Sequence, residues 1–178
     1  MATTNLTDRK KVLIVDDHPV MRQGVAEVIE HESDLTVCGQ AEDVQGALKA
    51  IAQHDPDVVL VDITLKDGSG IELIKDIKVR WPRLAVLVLS MHDESLYAER
   101  SLRAGARGYV TKTEPAERII EGIRRIADGG IYVTDKLAAK LLHTLVAGSQ
   151  KTGGCLVDRL SDREFEIFEL IGRGQEKR

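Results

Sequence analysis

The chain has 178 residues, of which 43% are hydrophobic and 30% charged, enough for one domain of common size with a smaller attachment. A net charge of −4 excludes an overall basic surface for nucleic acid, so DNA binding would need a local patch or residues absent from this chain. Two cysteines match neither a disulfide framework nor a zinc site, and the polar stretch 1–11 predicts a cytoplasmic protein without a signal or membrane span.

Short runs of β-branched and aliphatic residues alternate with amphipathic segments from Lys11 to Gly130. The predicted strands are 12–15, 35–39, 58–62, 84–89 and 108–111, and the predicted helices are 19–29, 44–53, 71–80, 95–104 and 115–126. The fourth strand is apolar nearly throughout, which is typical of a parallel strand covered on both faces. This alternation predicts an α/β fold with a doubly wound parallel sheet and right-handed crossovers.

The pattern becomes helical beyond Gly130. A helix is predicted over 135–146, followed by a Gly/Ser/Thr/Lys linker over 147–154. Ser161-Asp162-Arg163-Glu164 is a capping box that begins one further helix. The sequence therefore predicts three parts: a domain over 9–130, a linker with a helix over 131–157, and a last helix over 158–178.

Polar residues follow four of the five predicted strands: Asp16 and Asp17, Asp62, Ser90, and Lys112. With the strand order 2-1-3-4-5, all of them would meet at one edge of the sheet. A cluster of carboxylates is unfavourable without a cation, and hard oxygen ligands beside a phosphoryl group suit Mg²⁺. Asp62 could then act as a nucleophile towards phosphorus. Taken alone, Asp16 and Asp17 could equally cap the first helix.

These residues, together with Gly105-Ala106-Arg107-Gly108-Tyr109-Val110-Thr111-Lys112, resemble the receiver domain of a two-component response regulator. Leu-Ser-Met-His at 89–92 and the capping box at 161–164 resemble the NarL/FixJ class, whose members join a receiver to a LuxR-type helix-turn-helix. The resemblance implies a flavodoxin-like receiver with a C-terminal helical extension, in which the helix-turn-helix is shortened to its first helix. It also implies a protein that assists only its own phosphorylation and dephosphorylation and is not otherwise an enzyme.

The resemblance implies a role for each polar residue. Asp62 is the phosphoacceptor and takes its phosphoryl group from a sensor histidine kinase. The implied Mg²⁺ ligands are Asp17, Asp62, Asp16 through water or weakly, and the backbone carbonyl of Thr64. Lys112 pairs with the phosphoryl group, Ser90 is the switch hydroxyl and Tyr109 is the switch aromatic. A separate hypothesis is that Thr64 and His92 set the lifetime of the phosphoryl group, and the alternative for His92 is an exposed loop residue.

Phosphorylation is expected to repack the surface of the fourth helix, fifth strand and fifth helix, whose mixed charges suit a homodimer. DNA would be bound only through the missing remainder of the helix-turn-helix. Two other classes stay open: a stand-alone receiver that acts by protein contacts, and an aspartate-nucleophile phosphatase of the haloacid-dehalogenase type. The phosphatase is disfavoured because its second Asp, two positions after the nucleophile, is replaced here by Thr64.

Overall fold

The computed structural model describes residues 9–66, 68–91, 94–135, 137–139, 143 and 164. Residues 1–137 form one compact unit and residues 138–178 a second. The described positions in 135–143 are helical. The predicted linker over 147–154 lies outside the described residues, as does the predicted last helix except for residue 164, which is helical.

All ten elements predicted between residues 12 and 126 are present. The strands are β1 (Lys10–Val15), β2 (Leu35–Ala41), β3 (Val58–Asp62), β4 (Thr64–Leu65), β5 (Gly68–Ser69), β6 (Ala85–Ser90) and β7 (Gly108–Thr111). The helices are α1 (Pro19–Glu30), α2 (Val44–His54), α3 (Gly70–Arg80), α4 (Glu94–Ala104) and α5 (Ala116–Ala127). Among the described residues, no helix has the length and apolar content needed to cross a bilayer.

Five strands form one parallel sheet in the order β2-β1-β3-β6-β7. Because β4 and β5 lie outside this sheet, the order equals 2-1-3-4-5 for the five predicted strands. The predicted flavodoxin-like, doubly wound α/β fold is therefore confirmed. β1 and β3 are neighbours at the point where the strand order reverses, which is where such sheets bind ligands.

The sheet is the centre of the hydrophobic core. Every residue of β3 and β6 is buried, as expected for strands covered on both faces. On one face, alternating strand residues such as Val12 and Leu60 pack in the same cluster as Ile29 of α1 and Ile123 of α5. Each fully buried aliphatic side chain contributes about 1.5–3 kcal/mol, so this packing holds the helices against the sheet.

A small antiparallel hairpin follows β3, between the predicted third strand and the predicted third helix. Thr64 pairs with Ser69 and Leu65 with Gly68, and the Leu65 side chain is buried. The Ser69 hydroxyl then accepts a hydrogen bond from the Ile71 amide at the start of α3. A Cβ at Gly70 would lie 2.1 Å from the Asp62 carbonyl oxygen, so the hairpin can return to β3 only with glycine there.

One further residue joins the sheet beyond α5. Tyr132 forms a parallel bridge with Gly108 on the outer edge of β7. Its amide donates to the Arg107 carbonyl, and its carbonyl accepts from the Tyr109 amide, both at 2.9 Å. Residue 132 lies in the predicted linker over 131–157, but its backbone is paired with β7.

Candidate functional site

The carboxyl ends of β1 and β3 place two buried carboxylates side by side. Asp16 follows β1 and is 3% exposed, and Asp62 ends β3 and is 4% exposed. These strands are paired in register from Val12 with Val58 to Val15 with Val61. The sheet therefore holds both carboxylates in place before any ligand arrives.

Lys112 follows β7 and joins the two carboxylates. Its Nζ atom lies 2.7 Å from Asp16 Oδ2 and 2.6 Å from Asp62 Oδ2, and all three side chains are almost completely buried. Two like charges about 4 Å apart would repel by about 4 kcal/mol at an effective dielectric constant of 20. The ammonium group replaces that repulsion with two charge-assisted hydrogen bonds.

Burial shifts the proton affinities of this pair. Burial raises the pKa of the Asp62 carboxyl, and the hydrogen bond and charge of Lys112 only partly oppose it. For Lys112, burial acts to lower the pKa, but the hydrogen bonds to Asp16 and Asp62 outweigh burial and raise it overall. Lys112 is therefore a permanent cation at neutral pH.

Backbone amides fix the second oxygen of each carboxylate. The His18 amide donates to Asp16 Oδ1 at 2.8 Å, and the Thr64 amide donates to Asp62 Oδ1 at 3.2 Å. Neither carboxylate of the Asp16-Asp17 pair caps α1, whose N-cap His18 has no side-chain cap hydrogen bond. The helix-cap alternative is therefore wrong, and the local bonds instead orient the carboxylates within the site.

The surroundings of the Asp17 carboxylate indicate whether these residues fit a metal ion. Its Oδ1 atom is buried without a hydrogen-bond partner among the described residues, although His18 Nδ1 lies 2.7 Å away at ion-pair distance. One ligand atom from each of Asp16, Asp17, His18 and Asp62 lies within 4.8 Å of the others. Carboxylate oxygens gathered this closely, one of them buried and contacted only by the exposed His18 ring among the described residues, fit a hard divalent cation.

The residues predicted as the switch also lie at or near this edge. Ser90 ends β6 and is fully buried, and its carbonyl accepts a hydrogen bond from the Lys112 amide at 2.8 Å. Tyr109 lies on β7, is 1% exposed and is paired with Val88 of β6. Thr64 is exposed in the hairpin. His92 lies outside the described residues.

Arg22, which was not predicted from the sequence, supports the site from α1. Its Nη1 atom donates to the Asp16 carbonyl, and its Nε atom donates to Gln40 Oε1 at 3.2 Å. Arg22 therefore ties α1 to the ends of β1 and β2. A single arginine on an amphipathic helix gives no sequence signal, because its partner is the backbone of a residue that follows another element.

Comparison with known proteins agrees with this geometry. Residues 12–124 match the family model of the response regulator receiver domain. The chain belongs to this family. The receiver accounts for the parallel sheet and for the strand ends where Asp16, Asp62 and Lys112 meet.

Similar proteins place the receiver in the NarL/LuxR class. The chain is 35% identical to the transcriptional regulatory protein DegU of Brevibacillus brevis, covering 94% of this chain and 77% of that one. It is 34% identical to the oxygen regulatory protein NreC of Staphylococcus aureus, covering 92% and 77%. A LuxR-family two-component response regulator from Aurantimonas sp. is similar in structure, with a TM-score of 0.71 and 30% identity over 78% of this chain and 99% of that one. The predicted resemblance to a two-component response regulator is confirmed.

Proposed function

We propose that this response regulator accepts a phosphoryl group on Asp62 from a sensor histidine kinase and uses it to control transcription. The arrangement that supports the proposal is Asp62 at the end of a buried strand with Lys112 Nζ 2.6 Å from its Oδ2 atom. Such a carboxylate is held in one orientation and has a fixed cation beside it. Both features serve an attack on phosphorus.

The chemistry follows from these contacts. An Asp62 oxygen attacks phosphorus, the new P–O bond forms as the bond from phosphorus to the donor breaks, and the leaving group takes up a proton. Lys112 moves its ion pair from the carboxylate to the phosphoryl oxygens, which carry close to two negative charges. Asp16, Asp17 and Asp62 would hold Mg²⁺, with the Thr64 carbonyl as a further ligand, and the ion would offset negative charge on the phosphoryl group.

The output follows from the buried switch residues. The Ser90 hydroxyl turns towards the phosphoryl group, and Tyr109 moves into the space that Ser90 leaves. This movement repacks the surface of α4, β7 and α5, whose two arrangements need differ by only a few kcal/mol. The repacked surface supports a homodimer, and DNA is reached through a complete helix-turn-helix, in agreement with the transcriptional relative DegU.

The receiver occupies 9–130, a linker with a helix 131–157, and the first helix of a LuxR-type module 158–178. The protein works in the cytoplasm and catalyses only its own phosphorylation and dephosphorylation.

Thr64 and His92 set the lifetime of the phosphoryl group, so His92→Ala is expected to change the decay rate of the phosphorylated form. An unchanged decay rate would remove His92 from this role.

The decisive experiment compares the wild type with Asp62→Asn in acetyl phosphate and Mg²⁺. The wild type is expected to gain one phosphoryl group by intact mass, and the variant none. Asp57→Asn is the matched control because Asp57 is an exposed carboxylate whose Oδ2 accepts from the Lys11 amide at the other end of β1. Modification that survives Asp62→Asn, or a wild type that is never modified, would refute the proposal.

A further inference from the structure

Tyr132 is held against the receiver by its backbone and by its side chain. The backbone bridge to Gly108 uses the Tyr109 amide as a donor and the Arg107 carbonyl as an acceptor. The Tyr132 hydroxyl donates to Glu121 Oε2 on α5 at 2.9 Å. The residue therefore contacts β7 and α5, two of the three elements that form the predicted switch surface.

Two glycines make room for this contact. A Cβ at Gly108 would lie 2.9 Å from the Tyr132 carbonyl oxygen, and a Cβ at Gly122 would lie 3.1 Å from Tyr132 Cδ1. Both positions also face Leu87 of β6 at 3.0 Å or less. The ring of Tyr132 is thus packed over α5 beside the core and is half-buried, and it is not a solvated linker residue.

The hydrogen bond from the Tyr109 amide joins this contact to the switch. Tyr109 is buried, so its side chain cannot turn freely without adjustment of β7. Any shift of the β7 backbone at Tyr109 changes the bond that Tyr132 accepts. The chain continues from Tyr132 directly to the helical positions in 135–143. Tyr132, which is hydrogen-bonded to the Tyr109 amide, therefore lies in the chain between β7 and the second unit.

We propose that Tyr132 is a positioning residue of the phosphorylation switch, which holds β7 in register and transmits movement of Tyr109 to segment 131–135. This inference rests on the proposed function, because it requires a phosphoryl-dependent movement at Tyr109. Tyr132 acts through its contacts with β7 and α5 and touches neither Asp62 nor the phosphoryl group.

The test measures amide hydrogen exchange by NMR on the full chain, with and without beryllofluoride and Mg²⁺. In the wild type, the amides of Tyr109 and Tyr132 are expected to change exchange rate together on activation. Tyr132→Ala removes the ring that anchors the bridge, so the Tyr109 amide should exchange at least about fivefold faster before activation, the factor for one hydrogen bond of average strength. In this variant, segment 131–135 should no longer respond to beryllofluoride.

Two further variants separate positioning from general loss of structure. Tyr132→Phe keeps the ring and the backbone bridge, so the coupled response should return to within about twofold of the wild type. Ile131→Ala changes the exposed neighbouring side chain and should leave the coupling intact. The Phe variant also keeps the test open if the Ala variant does not fold.

The amide of Lys112, which donates to the Ser90 carbonyl, reports the site itself. If the Lys112 amide responds to beryllofluoride while Tyr132 does not, the inference is wrong and the proposed function stands. An equal response of segment 131–135 in Tyr132→Ala and the wild type would also refute the inference. If the Lys112 amide does not respond in the wild type, the proposed function fails and the inference fails with it.

Discussion

Replacing Lys112 by Met tests the electrostatic account of the site most directly. The substitution removes two ion pairs, at 2.7 Å to Asp16 and 2.6 Å to Asp62, and leaves two carboxylates that are at most 5% exposed. Breaking a buried pair by removing one partner costs about 3–5 kcal/mol. We expect a loss of that size in the free energy of unfolding at pH 7, measured by urea titration. The fluorescence of Trp81, the single tryptophan, reports on the receiver unit.

The loss should depend on pH in a defined direction. Without Lys112, only the hydrogen bond from the Thr64 amide opposes the burial that raises the pKa of Asp62, so this pKa rises further. A carboxyl with a raised folded-state pKa makes the folded state less stable as pH rises from its ordinary pKa through the raised value. The cost of the substitution should therefore shrink in acid, where Asp62 is protonated. Because the pKa of Lys112 is also raised, Lys112 keeps its charge through neutral pH and loses it only in alkali.

Lys75→Met is the matched control, since Lys75 pairs with Glu72 at 2.8 Å on the exposed surface of α3. Exposed pairs contribute about 0–1 kcal/mol, so this variant should be close to the wild type at every pH. The electrostatic reasoning is refuted if Lys112→Met costs no more than Lys75→Met. It is also refuted if the cost of Lys112→Met is the same at acidic and neutral pH.

Two more predictions concern the metal ligands and the hairpin. Asp17→Asn should raise the urea midpoint in the absence of Mg²⁺, because one repelling charge is gone. The same variant should lose the stabilisation of about 1.4 kcal/mol that a cation at ten times its Kd gives the wild type. An equal response to Mg²⁺ in both proteins would contradict this ligand assignment. Gly70→Ala should lower the free energy of unfolding by about 1–3 kcal/mol, because the new Cβ would lie 2.1 Å from the Asp62 carbonyl oxygen. Gly24→Ala is the control: a Cβ at Gly24 in α1 would have nothing within 4 Å, so this variant should raise the free energy of unfolding by about 0.5–1 kcal/mol. A tolerated Gly70→Ala would mean that the return of the hairpin to β3 does not need glycine.

The sheet could be predicted from local patterns because its central strands are buried on both faces. Val58–Asp62 and Ala85–Ser90 are apolar runs that end on a polar residue, and the structure buries every position of both. Once the strand order was known, the meeting of Asp16, Asp62 and Lys112 followed from geometry alone, because parallel strands end at the same edge. The sequence therefore predicted which strand ends converge.

The contacts that the sequence did not predict depend on the assembled fold. Arg22 binds a main-chain carbonyl, and Tyr132 pairs with the edge of β7, so neither partner is marked by a side-chain pattern. Gly129 and Gly130 precede Tyr132 and favour a break after α5, so no sequence signal indicates that the chain returns to the sheet. The prediction that Lys112 pairs with a phosphoryl group stays a prediction, whereas its pairing with both carboxylates became visible only in the structure.

The long separation in sequence between the residues that Lys112 bridges has a consequence for synthesis in the cell. Lys112 lies 96 residues after Asp16 and 50 residues after Asp62. At about 5–20 residues per second, a ribosome needs about 5–20 s to add the lysine after Asp16 has been made. Until then, the two aspartates have no cation from β7 between them. A nascent chain therefore carries Asp16 and Asp62 long before the site is complete, and Lys112 can join the two carboxylates only after the last strand of the sheet has left the ribosome.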